Sequence, residues 1–187
     1  MRENEQSNFQ QRAIKLALAS IFAFGTTVSG YSFAAADSTT ATGTVVAPIA
    51  ITKATDLVFG KFAPGAGGTV TVSTSGTRTA SGAILSTVGS SPTAAKFDVT
   101  GDNNATYSIA WGGVTALTNT TGVGAETMAL TRISDLTGGG ATTGEVTTGT
   151  LSASGAQSIY LGGVLTVAAT QVAGVYTGNV TVTVEYN

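Results

Sequence analysis

The side chains able to do chemistry in this sequence are few, and their kinds limit what they can do. There is no Cys and no His among the 187 residues. That removes the thiolate nucleophile, the thiolate zinc site, and the commonest general base and metal ligand. What remains is carboxylate, Lys, Ser and Tyr. Glycoside hydrolysis needs two carboxylates facing each other across a cleft. Asp98 with Asp102, or Asp135 with Glu145, reach that role only by elimination. Asp102-Asn103-Asn104 after Gly101 reads as a turn, because Asx side chains hydrogen-bond their own backbone there. Hard oxygen ligands for calcium exist at Asp102, but no D-x-[DN]-x-[DN]-G loop surrounds them. Lys96 beside Phe97-Asp98 is the one candidate for an intramolecular isopeptide bond, and it reads first as an exposed strand lysine. No G-x-S-x-G elbow, S-x-x-K or G-x-x-x-x-G-K occurs. Trp111, the lone tryptophan, could offer a sugar platform but reads better as core at a strand end. No cofactor or metal is expected, and the protein is not expected to be an enzyme.

The elements that position these residues are strands. Charged residues make up 10% of the chain, too few for a nucleic-acid footprint. With 42% apolar residues and low charge, disorder is not expected either. Thr and Val dominate, and β-branched residues suit a pleated, half-buried surface. Turn residues interrupt the apolar runs at short intervals. The pattern predicts strands at 44–52, 56–62, 69–74, 82–87, 95–100, 106–111, 114–118, 127–136, 156–161, 165–169 and 176–186. That is an all-β chain, an immunoglobulin-like β-sandwich with added strands. Pro48 has no N–H, which places its segment at an edge, a bulge or a crossing. The glycine pairs at 67–68, 112–113 and 162–163 read as turns or bulges.

Residues 1–36 read as a signal peptide. Arg2, Arg12 and Lys15 precede a short apolar run, Leu16 to Val28, and Ala34-Ala35-Ala36 offers a cleavage site. The run is too short for a convincing membrane span, so no stable membrane insertion is expected after cleavage. The remaining organisation is an N-terminal strand or extension at 37–52 and a sandwich domain at 53–187.

The last strand has the sharpest pattern. In Gly174-Val-Tyr-Thr-Gly-Asn-Val-Thr-Val-Thr-Val-Glu-Tyr-Asn187, the residues Val180, Val182, Val184 and Tyr186 share one face, with Tyr176 in phase. Tyr186 is penultimate, and Gly174 lies fourteen from the end counting Asn187 as the first. This ending resembles the pilin subunits of chaperone–usher fimbriae, and more closely spore coat protein U and the archaic pilins. It is joined by Leu57-Val58-Phe59-Gly60, similar to the Leu-x-Phe-Gly motif of that branch. The mature chain also looks like the bacterial secreted domain-of-unknown-function 4402 family, through the same motif, Gly68–Val72 and Gly162–Val167. Many archaic pilins carry a cysteine pair, and this chain has none.

The resemblance implies a surface-fibre subunit that polymerises with itself by donor-strand exchange. A periplasmic chaperone and an outer-membrane usher would be its assembly partners. A donor strand must be unpaired in the monomer and apolar on alternate residues. Ala41, Gly43, Val45, Ala47, Ile49 and Ile51 meet that test, although Val46, Pro48 and Ala50 blur the alternation. Gly174, Tyr176, Val180, Val182, Val184 and Tyr186 would border the acceptor groove. Two readings of 41–52 stand at this level: a donor strand, or the first strand of a self-complete, ligand-binding sandwich.

Overall fold

The computed structural model describes residues 35–122 and 125–187. The signal-peptide reading falls almost wholly on residues 1–34, outside the described residues. The chain divides into two compact units, Met1–Gly43 and Thr44–Asn187. In the first unit, residues 35–43 are exposed and form neither strand nor helix. The second unit is all β, and among the described residues no helix is long and apolar enough to cross a membrane.

Its strands are β1 (Ala50–Thr55), β2 (Phe62–Ala63), β3 (Gly68–Val72), β4 (Arg78–Ser81), β5 (Ile84–Leu85), β6 (Ala95–Thr100) and β7 (Thr106–Gly113). They continue as β8 (Ala116–Asn119), β9 (Thr127–Asp135), β10 (Thr148–Thr150), β11 (Ala156–Val167), β12 (Tyr176–Thr177) and β13 (Val180–Tyr186). One large sheet runs β1-β6-β11-β9-β8-β12, with β3 on β11 and β4 on β3. A smaller sheet runs β10-β7-β13, and β2 pairs with β5. Every strand pairing is antiparallel.

The sheets close over two apolar clusters, as a sandwich must. Phe97, Val99, Ile159 and Leu161 from the large sheet meet Tyr107, Ile109 and Val184 from the small one. The second cluster holds Phe59, Val70, Val72, Met128, Leu130, Leu165 and Val167. The alternating buried positions of β6 and β9 follow the period of 2 visible in Ala-Lys-Phe-Asp-Val-Thr and Thr-Met-Ala-Leu. Trp111 packs against the first cluster, edge-on to Phe97 at 6.4 Å, and donates its indole N–H to the Val146 carbonyl.

Three departures from the expected strands have physical causes. The glycine pair 162–163 lies inside β11 rather than in a turn. A Cβ on Gly162 would strike the Val72 carbonyl, and one on Gly163 would come within 2.9 Å of Leu130 Cδ1 and 3.1 Å of Phe59 Cζ. Glycine is there so that neighbouring chains can approach. The stretch 56–62 is not a continuous strand either. It makes one bridge, Val58 with Thr93, then turns at Gly60, whose φ is 72°. The carbonyls of Phe59 and Lys61 accept from Arg78 Nη1 at 2.8 and 3.0 Å, and Nη2 binds the Ser86 carbonyl at 2.7 Å. Thirdly, the first strand begins at Ala50, just beyond Pro48, and residues 44–48 belong to no strand.

Candidate functional site

An open apolar groove of about 1080 Å³ lies between two segments that leave the large sheet. The chain leaves the large sheet after β1 and reaches β5 through residues 56–63. It leaves β11 at Val167 and passes through residues 171–179, which include β12, to enter the small sheet as β13. These two crossings form the lips. Phe59, Met128, Leu130 and Leu165, all buried, form the floor. Leu57 and Val180 pack against both core clusters and line the groove from opposite lips.

The lips are held rigidly. Arg78 fixes the first one through the contacts above. On the second, Asn119 is buried and its Oδ1 accepts the N–H groups of Thr121 and Gly122 at 3.0 and 2.8 Å. Its amide packs so closely on Gly174 that a Cβ there would collide with it. Thr120 N–H donates to the Val175 carbonyl at 2.8 Å, and Val175 N–H donates to Thr121 Oγ1 at 2.8 Å. The Tyr176 hydroxyl donates to the Val172 carbonyl and accepts from Gln171 Nε2, both at 2.7 Å. A Cβ on Gly178 would meet Val114 at 2.5 Å and Leu117 at 3.0 Å. Gly174 and Gly178, ahead of the last strand, therefore serve close packing against Asn119, Val114 and Leu117.

Among the described residues β13 pairs only with β7, so its outer edge carries no strand. Only its first residues, Val180 and Thr181, line the groove, and an open edge beside an apolar floor is a template for β-augmentation.

Of the sequence-predicted groove residues, Gly174, Tyr176 and Val180 line the groove. Val182, Val184 and Tyr186 do not: they pack on the first core cluster. Tyr186 has a separate task. Its hydroxyl accepts the Asp102 N–H at 2.6 Å and donates to the Ala47 carbonyl at 2.8 Å. It ties the start of β1 to the Gly101–Asp102 turn. Of the donor candidates, Ala41, Gly43, Val45 and Ala47 are exposed and lie in no strand. Val45 is 98% exposed, a poor resting place for an apolar side chain. Ile49 and Ile51 instead pack on this protein's own core, and Ile51 sits within β1. The groove floor was missed by sequence reasoning. Its signals were the inward alternation of Met128 and Leu130 and the two motifs that hold Phe59 and Leu165.

Asp98, Asp135 and Glu145 are occupied elsewhere. Asp98 accepts from Lys96 Nζ at 2.9 Å and from the Ser158 hydroxyl at 2.7 Å. The Lys96 bond first, then Ser158, hold its pKa below the ordinary value, and the same bond to Asp98 raises that of Lys96. Glu145 pairs with Arg132 Nε at 2.6 Å. Asp135 accepts the N–H groups of Thr137, Gly138 and Gly139 and the Thr74 hydroxyl. Burial pushes its pKa up, but the Thr74 and backbone hydrogen bonds outweigh that and hold it below the ordinary 3.8. Each of these carboxylates braces a loop or a strand. Burial raises the Tyr107 pKa, and its hydroxyl donates to Gln157 Oε1 at 2.8 Å.

The class is thus an all-β sandwich with an open apolar groove. The family described as Domain of unknown function (DUF4402) matches residues 49–186, and the chain belongs to it. No curated protein and no solved structure matches the chain. The family match begins at Ile49, so Ala41, Gly43, Val45 and Ala47 all precede it.

Proposed function

We propose that the chain is an exported structural subunit of a cell-surface fibre or coat. Residues 37–47 of one copy fill the groove of the next. The observation that carries this reading is the pairing of two incomplete parts in one chain. One is a groove with an unpaired β13 edge; the other is an apolar-alternating segment with no strand of its own.

Residues 37–47 span eleven positions and, extended, cover about 36 Å, at roughly 3.3 Å per residue, longer than the seven-residue edge of β13. In the groove Ala41, Gly43, Val45 and Ala47 face the floor that Phe59 and Leu165 help to form. Each Val buried contributes about 1.5–3 kcal/mol before the cost of ordering the segment. Ladder hydrogen bonds along β13 add to this and remove an exposed edge. The linkage needs no covalent bond, metal or cofactor. A periplasmic chaperone and an outer-membrane usher are the partners that the likeness to pilins suggests. The exposed groove gives them something to protect.

The test compares surface extracts boiled and unboiled on a denaturing gel, for the full chain and for one lacking residues 37–46. The expected result is a ladder that collapses on boiling and is missing from the truncated chain. A single monomer band in every lane would support the self-complete, ligand-binding sandwich instead.

A further inference from the structure

Resting on the export reading above, we propose that Asn104 is a glycan acceptor. Its side-chain nitrogen takes an oligosaccharide from a lipid-diphosphate donor outside the cytoplasm. The donor is a glycan esterified through its anomeric carbon to a polyprenyl diphosphate, and a transferase brings the two together. Asn104 Nδ2 attacks the anomeric carbon. A C–N bond forms as the C–O bond to the diphosphate breaks. The lipid diphosphate leaves with the electron pair, and the amide proton passes to a carboxylate of the transferase. No oxidant or reductant takes part.

The tripeptide Asn-x-Thr, with x other than Pro, marks an acceptor in an exported chain. It occurs here as Asn104-Ala105-Thr106, Asn119-Thr120-Thr121 and Asn179-Val180-Thr181. Thr is so common in this sequence that the tripeptide alone decides nothing. The structure separates the three. Asn119 is buried, and its Oδ1 already accepts two backbone N–H groups. Asn179 is exposed but lines the groove, where a glycan would obstruct the incoming segment. Asn104 is exposed, lies outside the groove, and its side-chain amide makes no hydrogen bond among the described residues.

Asn104 stands in the turn between β6 and β7, and its φ is 58°. Asn tolerates that left-handed conformation better than most residues, but Gly would serve the turn as well. The backbone thus accounts for a turn residue and leaves the side chain unexplained. The main chain is fixed, because the Asn104 N–H donates to the Ser152 carbonyl at 3.1 Å. Its neighbour Asn103 is turned aside, with Oδ1 3.1 Å from where a Cβ on Gly155 would sit. The flanking groups complete the pattern. Thr106, two residues on, opens β7 and is exposed, with no hydrogen bond to its hydroxyl among the described residues. Asp102, two residues before, has no hydrogen bond or ion pair on its carboxylate among the described residues, unlike Asp98, Asp135 and Glu145. A basic side chain of a transferase can pair with that carboxylate. The same position before Asn119 and Asn179 holds Leu117 and Thr177, which carry no charge. The Tyr186 hydroxyl accepts the Asp102 N–H, which holds this turn at the end of β13 away from Val180 and Thr181 in the groove. A glycan on Asn104 therefore decorates the subunit without entering the groove.

The test is mass spectrometry of the chain recovered from its native cells, surface extract and cytosol separately, after cleavage at Lys96 and Arg132. The expected result is a surface peptide 97–132 heavier than its sequence by a whole number of sugar residues, with fragmentation placing the addition on Asn104. Peptide 133–187, which holds Asn179, should carry none. Asn104→Gln and Thr106→Val should each abolish the addition. Thr106→Val keeps Asn104 and the branched shape of the strand residue, and an unchanged thermal midpoint separates its effect from misfolding. An unmodified peptide in the surface extract overturns the acceptor site and leaves the export reading intact. An addition on Asn119 or Asn179, or one that survives Thr106→Val, also overturns it. A chain confined to the cytosol overturns both.

Discussion

Single residues here act mainly by filling or by tying. Asp135 ties the 137–141 loop to β9 and reaches Thr74 at the end of β3. Its folded pKa is depressed, so its stabilisation is complete above the unfolded value of about 3.9 and is lost as pH falls through the lower folded value. Asp135→Asn should lower stability at neutral pH by about 1–3 kcal/mol. It should also flatten the acid limb of the thermal midpoint against pH below about 4. A variant as acid-sensitive as the parent would mean that other carboxylates dominate. Gly163→Ala tests the close approach in β11. The added methyl must displace Leu130 and Phe59 from the groove floor, and overpacking of this kind costs about 1–3 kcal/mol. Calorimetry reads the loss; an unchanged midpoint would show that the floor yields freely.

At the scale of elements, alternation made β6, β7, β9 and β13 legible, because each buries one face. The misses trace to backbone partners that hydropathy does not report. The run Leu57–Phe62 reads as a strand, yet its carbonyls go to Arg78, a side chain from another element. Residues 44–49 read as strand through their apolar content, but pairing starts only at Ala50. The ending 176–186 reads as one strand, whereas the chain changes sheets at Gly178-Asn179. That change of sheet opens one lip of the groove. Half of the candidate site was readable for the same reason. Gly174, Tyr176 and Val180 lie in the patterned ending, while Phe59, Met128 and Leu165 come together only through the fold. Tyr186 illustrates a role that spacing could not reveal. Tyr186→Phe strands the Asp102 N–H and frees Ala47, which should cost about 0.5–1.5 kcal/mol and loosen the start of β1. Faster hydrogen exchange at residues 50–52, with β9 unchanged, is the expected signature.

On the scale of the whole molecule, the proposed linkage completes a sandwich that has an open groove and a segment lying in no strand. Its exposed Val45, its unpaired β13 edge and its apolar floor are liabilities in an isolated chain, and the proposed intermolecular step would relieve each. The absence of disulfides leaves core packing and strand pairing to hold the domain. Filling the groove should therefore add measurably to stability. The most direct measurement adds a synthetic peptide copying residues 37–48 to the dilute full-length monomer and follows its thermal midpoint. A ligand at a hundred times its dissociation constant stabilises by about 2.7 kcal/mol. The account predicts a saturable rise of several degrees that a peptide with Val45→Asp fails to produce. A midpoint indifferent to the peptide at saturating concentration, or one raised equally by the Asp variant, would contradict it.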